Sequence, residues 1–458
     1  MKKPIKFYIA TCVARLSRIA LRTLGRNASH LPGVLAVRIL PNYLSYLEMP
    51  NRVVVVTGTN GKTTTVNMIL SFLKEQNQEV VTNQLGSNIL GGIISSLLTS
   101  TSFFGKNRKD LGVFEVDERA SNLILPYLKP DIVVVTNLFR DSYRRNAHVG
   151  FIVDILETSI PKESTLILNA DDLLVQNLRT ENNRKLFSVA PQEGEEQVLD
   201  SIIQDVVYCP RCNHELTFDF KRYHHIGFAH CENCGYKNAE ADCVVTSTGD
   251  IVRIEENGES YDYSAVGANI TDTYNMVAAI TALREMGYSQ DTIRSGFNEM
   301  HIVGSRFHER MVGNHRLLTI LSKDQNPVAN SRVFDFIRKQ KSWNSVSVVM
   351  MTEVSDYSGM PDVVENVAWL YDANFEYLNQ DFINQIIIVG YRNEDFRARL
   401  LLAGFPDDKI VCLTKVDDLL SHVNYDSETY VLLHGTKNID STAKISNELA
   451  SKLMEESV

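Results

Sequence analysis

The stretch Val56-Thr57-Gly58-Thr59-Asn60-Gly61-Lys62-Thr63-Thr64 combines the residue types that grip a phosphate chain. It follows the β-branched run Arg52 to Thr57, which reads as a buried strand, and it leads into a helical pattern from about Thr63 to Lys74. Glycines at the turn let main-chain N–H groups curl around phosphate oxygens, and the helix N-terminus adds its positive end. Lys62 is placed to reach terminal phosphates, and Thr63 has the hydroxyl that ligates Mg²⁺ in such loops. The general phosphate-loop pattern wants a glycine where this chain has Val56, so the match is to the shorter G-T-N-G-K-T form. A metal held beside phosphates needs an acid. Phe114-Glu115-Val116-Asp117-Glu118 supplies one at the end of a predicted strand, with Glu115 preferred and Asp117 and Glu118 as alternates.

A second chemistry-bearing constellation is Cys209-Pro210-Arg211-Cys212, then 18 residues, then Cys231-Glu232-Asn233-Cys234. Each C-x-x-C knuckle can set two thiolates on one side of a metal, and two knuckles complete a tetrahedral zinc site with no open position. That zinc is expected to be structural. A redox dithiol pair and an iron–sulfur centre are the alternatives. His214, His224, His225 and His230 lie close by and are not needed as ligands. Cys12, Cys243 and Cys412 are scattered and read as small buried residues.

The elements that must position these groups alternate between β and α. Leu111 to Val116, Asp131 to Thr136 and Thr165 to Leu168 read as further buried strands of a mainly parallel sheet. The region from about Asp205 to Ala241 interrupts this rhythm as an inserted module. Beyond Arg310 the αβ pattern resumes in a second doubly wound domain. Its strands are expected at Leu317 to Leu321, Val346 to Met351, Gln385 to Val389, Ile410 to Leu413 and Tyr430 to Leu433. Helices are expected at Ser331 to Lys339 and Glu394 to Leu402. Near the start, Ile5 to Leu24 has apolar residues at helical spacing with Arg15, Arg18, Arg22 and Arg26 on another face. The bland reading is a helix packed on the next domain; the sharper one is contact with anionic lipid headgroups.

With 44% hydrophobic and 22% charged residues, the 458-residue chain has the composition of a globular protein of two or three domains. Its net charge of −10 argues against a general nucleic-acid binder. No apolar run reaches the ~18 residues of a membrane span, and no cleavage signal follows the basic start. The expectation is a cytoplasmic protein, with the inner membrane face as the place of any lipid contact.

Taken together, the G-T-N-G-K-T loop, Asn169-Ala170-Asp171-Asp172 and Tyr274-Asn275-Met276-Val277-Ala278-Ala279 resemble the central domain of the Mur ligases. The four-cysteine insertion narrows the resemblance to the MurT branch of that family. So do Leu24-Gly25-Arg26, Leu31-Pro32-Gly33, Thr136-Asn137-Leu138-Phe139-Arg140-Asp141, the Asn326-Pro327 turn after Lys323, and Trp369 to Glu376. The resemblance implies an α/β fold: a segment at residues 1–50, a central ATP-binding domain at 51–313 with the zinc ribbon inserted at about 205–241, and a Rossmann-like domain at 314–458 that docks a partner.

It also implies an activity. MurT-like chains pair with a GatD-like glutaminase as a heterodimer, and use ATP and Mg²⁺ to activate the α-carboxyl of D-glutamate in lipid II. Ammonia from the partner then gives D-isoglutamine in the cell-wall precursor. On this likeness Gly58, Thr59, Asn60, Gly61, Lys62, Thr63 and Thr64 hold ATP, Asn275 contacts adenine, and Arg306 adds to the phosphate clamp. Thr63 and Glu115 hold Mg²⁺. The family gives an aspartate to the partner's Cys–His pair from a D-x-S-W segment; here that position falls on Asn366, and Asp362 is the other candidate. Lys162, just before a strand, is the lysine nearest the place where amino-acid-adding Mur ligases carry a carbamylated one, and that role is not assigned to it. A stand-alone Mur or folylpolyglutamate-synthase-like ligase and a nucleotide-holding scaffold are the competing readings.

Overall fold

The computed structural model describes residues 3–140, 148–193, 201–267, 269–300, 307–322, 326–352 and 367–456. They fall in two compact units. The first holds residues up to 139, 148–193 and 206–300; the second holds 140, 201–205 and those from 307 onward.

The first unit begins with helices α1 (Ile5–Thr23) and α2 (Leu31–Ile39). Then β1 (Arg52–Thr57), α3 (Lys62–Glu75), β2 (Val80–Thr82), α4 (Leu90–Ser100), β3 (Leu111–Glu115), α5 (Ser121–Leu128) and β4 (Ile132–Val135) follow. After them come α6 (Val149–Ser159), β5 (Thr165–Asn169), β6 (Arg184–Val189), the hairpin β7 (Thr217–Tyr223) and β8 (Ile226–His230), β9 (Cys243–Ser247), β10 (Ile251–Glu256), β11 (Glu259–Ser264), α7 (Ile270–Glu285) and α8 (Gln290–Glu299). The main sheet runs β11-β10-β9-β6-β5-β4-β1-β3-β2. It is parallel from β2 to β9, and antiparallel only where β9, β10 and β11 meander at one edge.

Strands β1, β3, β4 and β5 lie where continuous apolar runs were expected, because a strand covered on both faces must be apolar at every position; β2 and β6 are further parallel strands that were not expected. Val53 to Val56 are all buried. The meander was not expected, since β9 is short, and β10 and β11 are half-exposed and carry acids. Its turn at Asn257-Gly258, both with positive φ, was a legible hairpin signal. The order places β1 between β3 and β4, so chain direction across the sheet switches at the strand that carries the glycine loop. Ligands of open α/β sheets bind at such a switch.

Helix α7 is buried from Tyr274 through Leu283, and Asn269 caps its start by accepting from the N–H groups of Thr271 and Asp272. This helix packs along α3.

The inserted module docks on the first unit through its β7–β8 hairpin. Gly227 N–H donates to the Asp171 carbonyl (3.0 Å), and His225 Nε2 lies 3.1 Å from Asp172 Oδ1. Arg222 Nη1 donates to the Tyr274 hydroxyl (2.6 Å), which donates to Asp171 Oδ2 (2.5 Å). Asp171 also accepts from Val189 N–H at 2.9 Å.

The second unit carries β12 (Phe307–Val312), β13 (His315–Leu321), α9 (Pro327–Arg338), β14 (Val346–Met351), β15 (Ile383–Val389), α10 (Asn393–Leu402), β16 (Ile410–Leu413), β17 (Thr429–His434) and α11 (Ile439–Glu456). Its sheet order is β12-β13-β17-β14-β15-β16, parallel except for β12. The sheet thus begins at Phe307, ahead of residue 314. The Trp369–Glu376 segment is fixed from several sides. Trp369 packs edge-on against Phe396, Arg399 bonds Glu376 at 2.8 Å, and Asn374 holds Ser201 and Ile202.

Burial pushes the Asp171 carboxyl up to about 6 from its ordinary 3.8, although Tyr274, Val189 and Arg222 pull the other way. A group whose folded-state pKa is raised stabilises fully below its unfolded value and loses that contribution as pH climbs through the folded one. On the order of 3 kcal/mol should therefore be lost at this site between about pH 4 and pH 7. Denaturant unfolding of the wild type and of Asp171→Asn across that range should show the wild type losing stability relative to the variant as pH rises. Parallel curves would refute the assignment.

Candidate active site

The loop after β1 is held by the segment after β4. Thr59 N–H donates to the Asn137 carbonyl (2.8 Å), Asn60 N–H to Asn137 Oδ1 (2.9 Å), and Phe139 N–H to Thr59 Oγ1 (2.9 Å). In return the Thr136 hydroxyl and the Asn137 amide donate to the Asn60 carbonyl at 2.6 and 3.1 Å. Gly58 and Gly61 have φ of 123° and 88°, conformations that favour glycine. A Cβ at Gly58 would collide with Thr136 and Asn137, and one at Gly61 with the Asn275 side chain. Asn275 is thus a wall of the loop, buried against Gly61.

The acids divide their work. Glu115, at the end of β3, accepts from the Thr63 hydroxyl at 2.7 Å and from Asn88 Nδ2 at 2.9 Å. Asn83 exchanges two hydrogen bonds with the Glu115 main chain, at 2.8 and 2.9 Å. Thr63 and Glu115 are brought together as the loop reading required, and their hard oxygen donors suit Mg²⁺. Glu118 is buried and sits 3.1 Å from Lys62 Nζ. The Lys62 ammonium also donates to the carbonyls of Gly58 and Thr59. Asp117 accepts from the Arg119 N–H and starts the short turn that carries Glu118.

The Asn169–Asp172 turn lies behind this clamp. Asn169 Nδ2 donates to the Thr136 carbonyl (3.1 Å), and Asp172 Oδ2 accepts from Leu138 N–H (2.8 Å). Asp172 Oδ1 accepts from the N–H groups of Leu174 and Val175 and faces His225. The turn therefore braces the segment that braces the loop.

Cys209, Cys212, Cys231 and Cys234 form one cluster, with all four sulfurs within 4.8 Å of one another. Two pairs, Cys209–Cys234 and Cys212–Cys231, stand 3.5 Å apart. A tetrahedral zinc with bonds of ~2.3 Å requires sulfur separations of roughly 3.8 Å, so the donor set and spacing fit that ion. Hydrogen bonds from Asn233 and the His214 main chain bring the Cys212 thiol down to about 6. None of the four nearby histidines belongs to the cluster. His225 and Arg222 instead tie the hairpin to the turn. Of the remaining cysteines, Cys243 is buried as expected, Cys412 is half-buried, and Cys12 is exposed, because it falls on the outer face of α1.

Arg306, Lys323, Asp362 and Asn366 lie outside the described residues. Sequence reasoning missed Glu118 as the partner of Lys62, the asparagines that orient Glu115, and Thr136–Asn137 as the loop's clamp. Hydrogen-bond partners drawn from separate strands leave no local spacing signal; only the register of β1 with β3 and β4 brings them together.

The Mur ligase middle domain matches residues 56–224, and the MurT ligase C-terminal domain matches residues 323–436. The chain is 30% identical over 400 residues to the lipid II isoglutaminyl synthase (glutamine-hydrolyzing) subunit MurT of Staphylococcus aureus strain COL, covering 86% of this chain and 88% of that one. It is 29% identical to the Streptococcus pneumoniae R6 protein of the same name, covering 92% of each. Among solved structures, the pseudomurein peptide ligase type C of Methanothermus fervidus superposes with a TM-score of 0.65 at 17% identity, over 90% of this chain and 81% of that one. The MurF ligase of Thermotoga maritima, in complex with ADP, superposes with a TM-score of 0.56 at 14% identity, over 98% and 85%. With its glycine loop, its acid-bearing strand and both of its units matched, the chain has the Mur ligase fold and belongs to the MurT family of Mur ligases.

Proposed function

We propose that this chain is the ATP-dependent synthetase subunit of a lipid II isoglutaminyl synthase, working with a GatD-like glutaminase on the cytoplasmic side of the membrane. The observation that carries the reading is an intact lysine–threonine–glutamate set in a chain whose MurT likeness runs through both units.

A carboxylate is a poor electrophile, so the α-carboxyl of the D-glutamate residue must first be activated. One of its oxygens attacks the γ-phosphorus of ATP, ADP leaves, and the product is an acyl phosphate. Ammonia then attacks the acyl carbon, inorganic phosphate leaves, and a proton is released to give the amide. The loop amides of residues 58–64 would cradle the phosphates, and Asn275 would border the nucleotide. Lys62 would exchange Glu118 for the terminal phosphate, its charge offsetting that developing on the transferred group. Mg²⁺ held by Thr63 and Glu115 would supply further charge neutralisation there. Arg306 is assigned to the same clamp, and Asp362 or Asn366 to the partner's Cys–His pair. The four-cysteine cluster would hold a structural zinc that cross-links the inserted module.

Reconstitution with the glutaminase, lipid II, ATP and glutamine should convert the acceptor to a product about one dalton lighter, as acid becomes amide. Absence of that product, with ATP turnover driven instead by a free amino acid, would favour a stand-alone ligase. Lys62→Ala and Glu115→Gln should each lower turnover by about 10²-fold or more while the fold persists. A Lys62→Ala variant that retains all biological activity would support the scaffold reading.

The purified chain should contain one zinc per molecule by metal analysis. Cys212→Ser should lose it and melt at a lower temperature, since structural zinc contributes directly to folding.

A further inference from the structure

Helix α1 has two apolar faces. Phe7, Ala10, Thr11 and Ala14 are buried against the first unit. On the opposite side Ile5, Ile9, Cys12, Leu16 and Ile19 recur at helical spacing as an exposed stripe, with Ile5 78% and both Leu16 and Ile19 60% exposed. Scattered apolar residues on a surface need no explanation, but a continuous row does. The row widens beside Phe103 and Phe104, both exposed. Tyr8 of α1 stacks on Phe103, and the Lys3 ammonium donates to the Phe104 carbonyl.

The charge around the stripe is one-sided. Eight lysines and arginines precede Glu48, with no acid among them, in a chain whose net charge is −10. Exposed Arg22 flanks the stripe on α1, while Arg15 beside it turns inward and donates to the Thr101 carbonyl. Burial, and then the uncompensated charges of Arg22 and Arg15, lower the proton affinity of Arg18. Among the described residues no helix is long and apolar enough to cross a membrane, so α1 can lie only on a surface.

We propose that the outer face of α1, with Phe103 and Phe104, is a docking surface for an anionic lipid bilayer. Apolar side chains would enter the acyl boundary while the arginines meet headgroup phosphates. A second copy of the chain is a poorer occupant, because it would set the same mainly basic surface, in which Glu48 faces Lys3, against itself. The surface stands apart from the reaction proposed above; only its use, bringing the phosphate loop to a lipid-linked acceptor, rests on that reading.

Flotation of the purified full-length chain with vesicles that contain no lipid-linked acceptor tests the surface alone. The chain should float with phosphatidylcholine–phosphatidylglycerol vesicles, less with phosphatidylcholine alone, and less at high salt. Leu16→Ser/Ile19→Ser should reduce the bound fraction by about tenfold or more while keeping the wild-type melting temperature, since both side chains are exposed. Phe104→Ser, in a different element, should weaken binding independently. Failure of the wild type to float, equal flotation of both variants, or a dimer in sedimentation that the double variant dissolves without any vesicle binding would overturn the proposal.

Discussion

The loop between β1 and α3 is tied down by hydrogen bonds from the segment after β4, and that clamp sets what the site can do. Thr136, Asn137 and Phe139 engage the N–H groups of Thr59 and Asn60, the carbonyl of Asn60 and the hydroxyl of Thr59. Each residue left free would carry about 1–2 kcal/mol of backbone entropy to be lost on gripping a ligand. A loop already fixed has that cost absorbed in folding, so more of the contact energy remains for binding. Fixing it this way demands glycine at residues 58 and 61, where any side chain would strike Thr136, Asn137 or Asn275.

The clamp depends in turn on the Asn169–Asp172 turn, and the turn on the cysteine module. Asp172 bonds Leu138 within the clamp segment and faces His225 of the module's hairpin, while Asp171 takes the Tyr274 hydroxyl that Arg222 also reaches. Buried charged groups of this kind add little net stability, because desolvation offsets their attraction, but removing one partner is costly. Their effect is to fix one arrangement. The inserted module, with its own small core around Leu216 and Tyr236, thereby acts as a buttress behind the phosphate loop.

Much of this was legible in the sequence because it rests on periodicity or on fixed spacing. The Val53–Val56 run, the glycine turn and the two cysteine knuckles are local patterns, and each lies in the structure where it was read. Strands β10 and β11 of the meander escaped because half-exposed acidic strands resemble loops in composition. The Lys62–Glu118 pair escaped for a different reason. Glu115, Asp117 and Glu118 are indistinguishable by type, and only the short turn after Asp117 sends Glu118 inward while Glu115 stays with Thr63.

That division of labour bears on which anions the site can accept. Lys62 is held by Glu118 and two carbonyls, and both oxygens of Glu115 are engaged by Thr63 and Asn88. A phosphate must therefore compete for the ammonium with an acid already in place, and a single weak anion gains little from the exchange. A polyphosphate that brings its own divalent cation changes the balance. The cation gives Glu115 and Thr63 a better partner than each other, and the added negative charge draws Lys62 from Glu118. On the function proposed here, selectivity for a metal–triphosphate would follow from the internal pairing of the acids rather than from the shape of the loop alone.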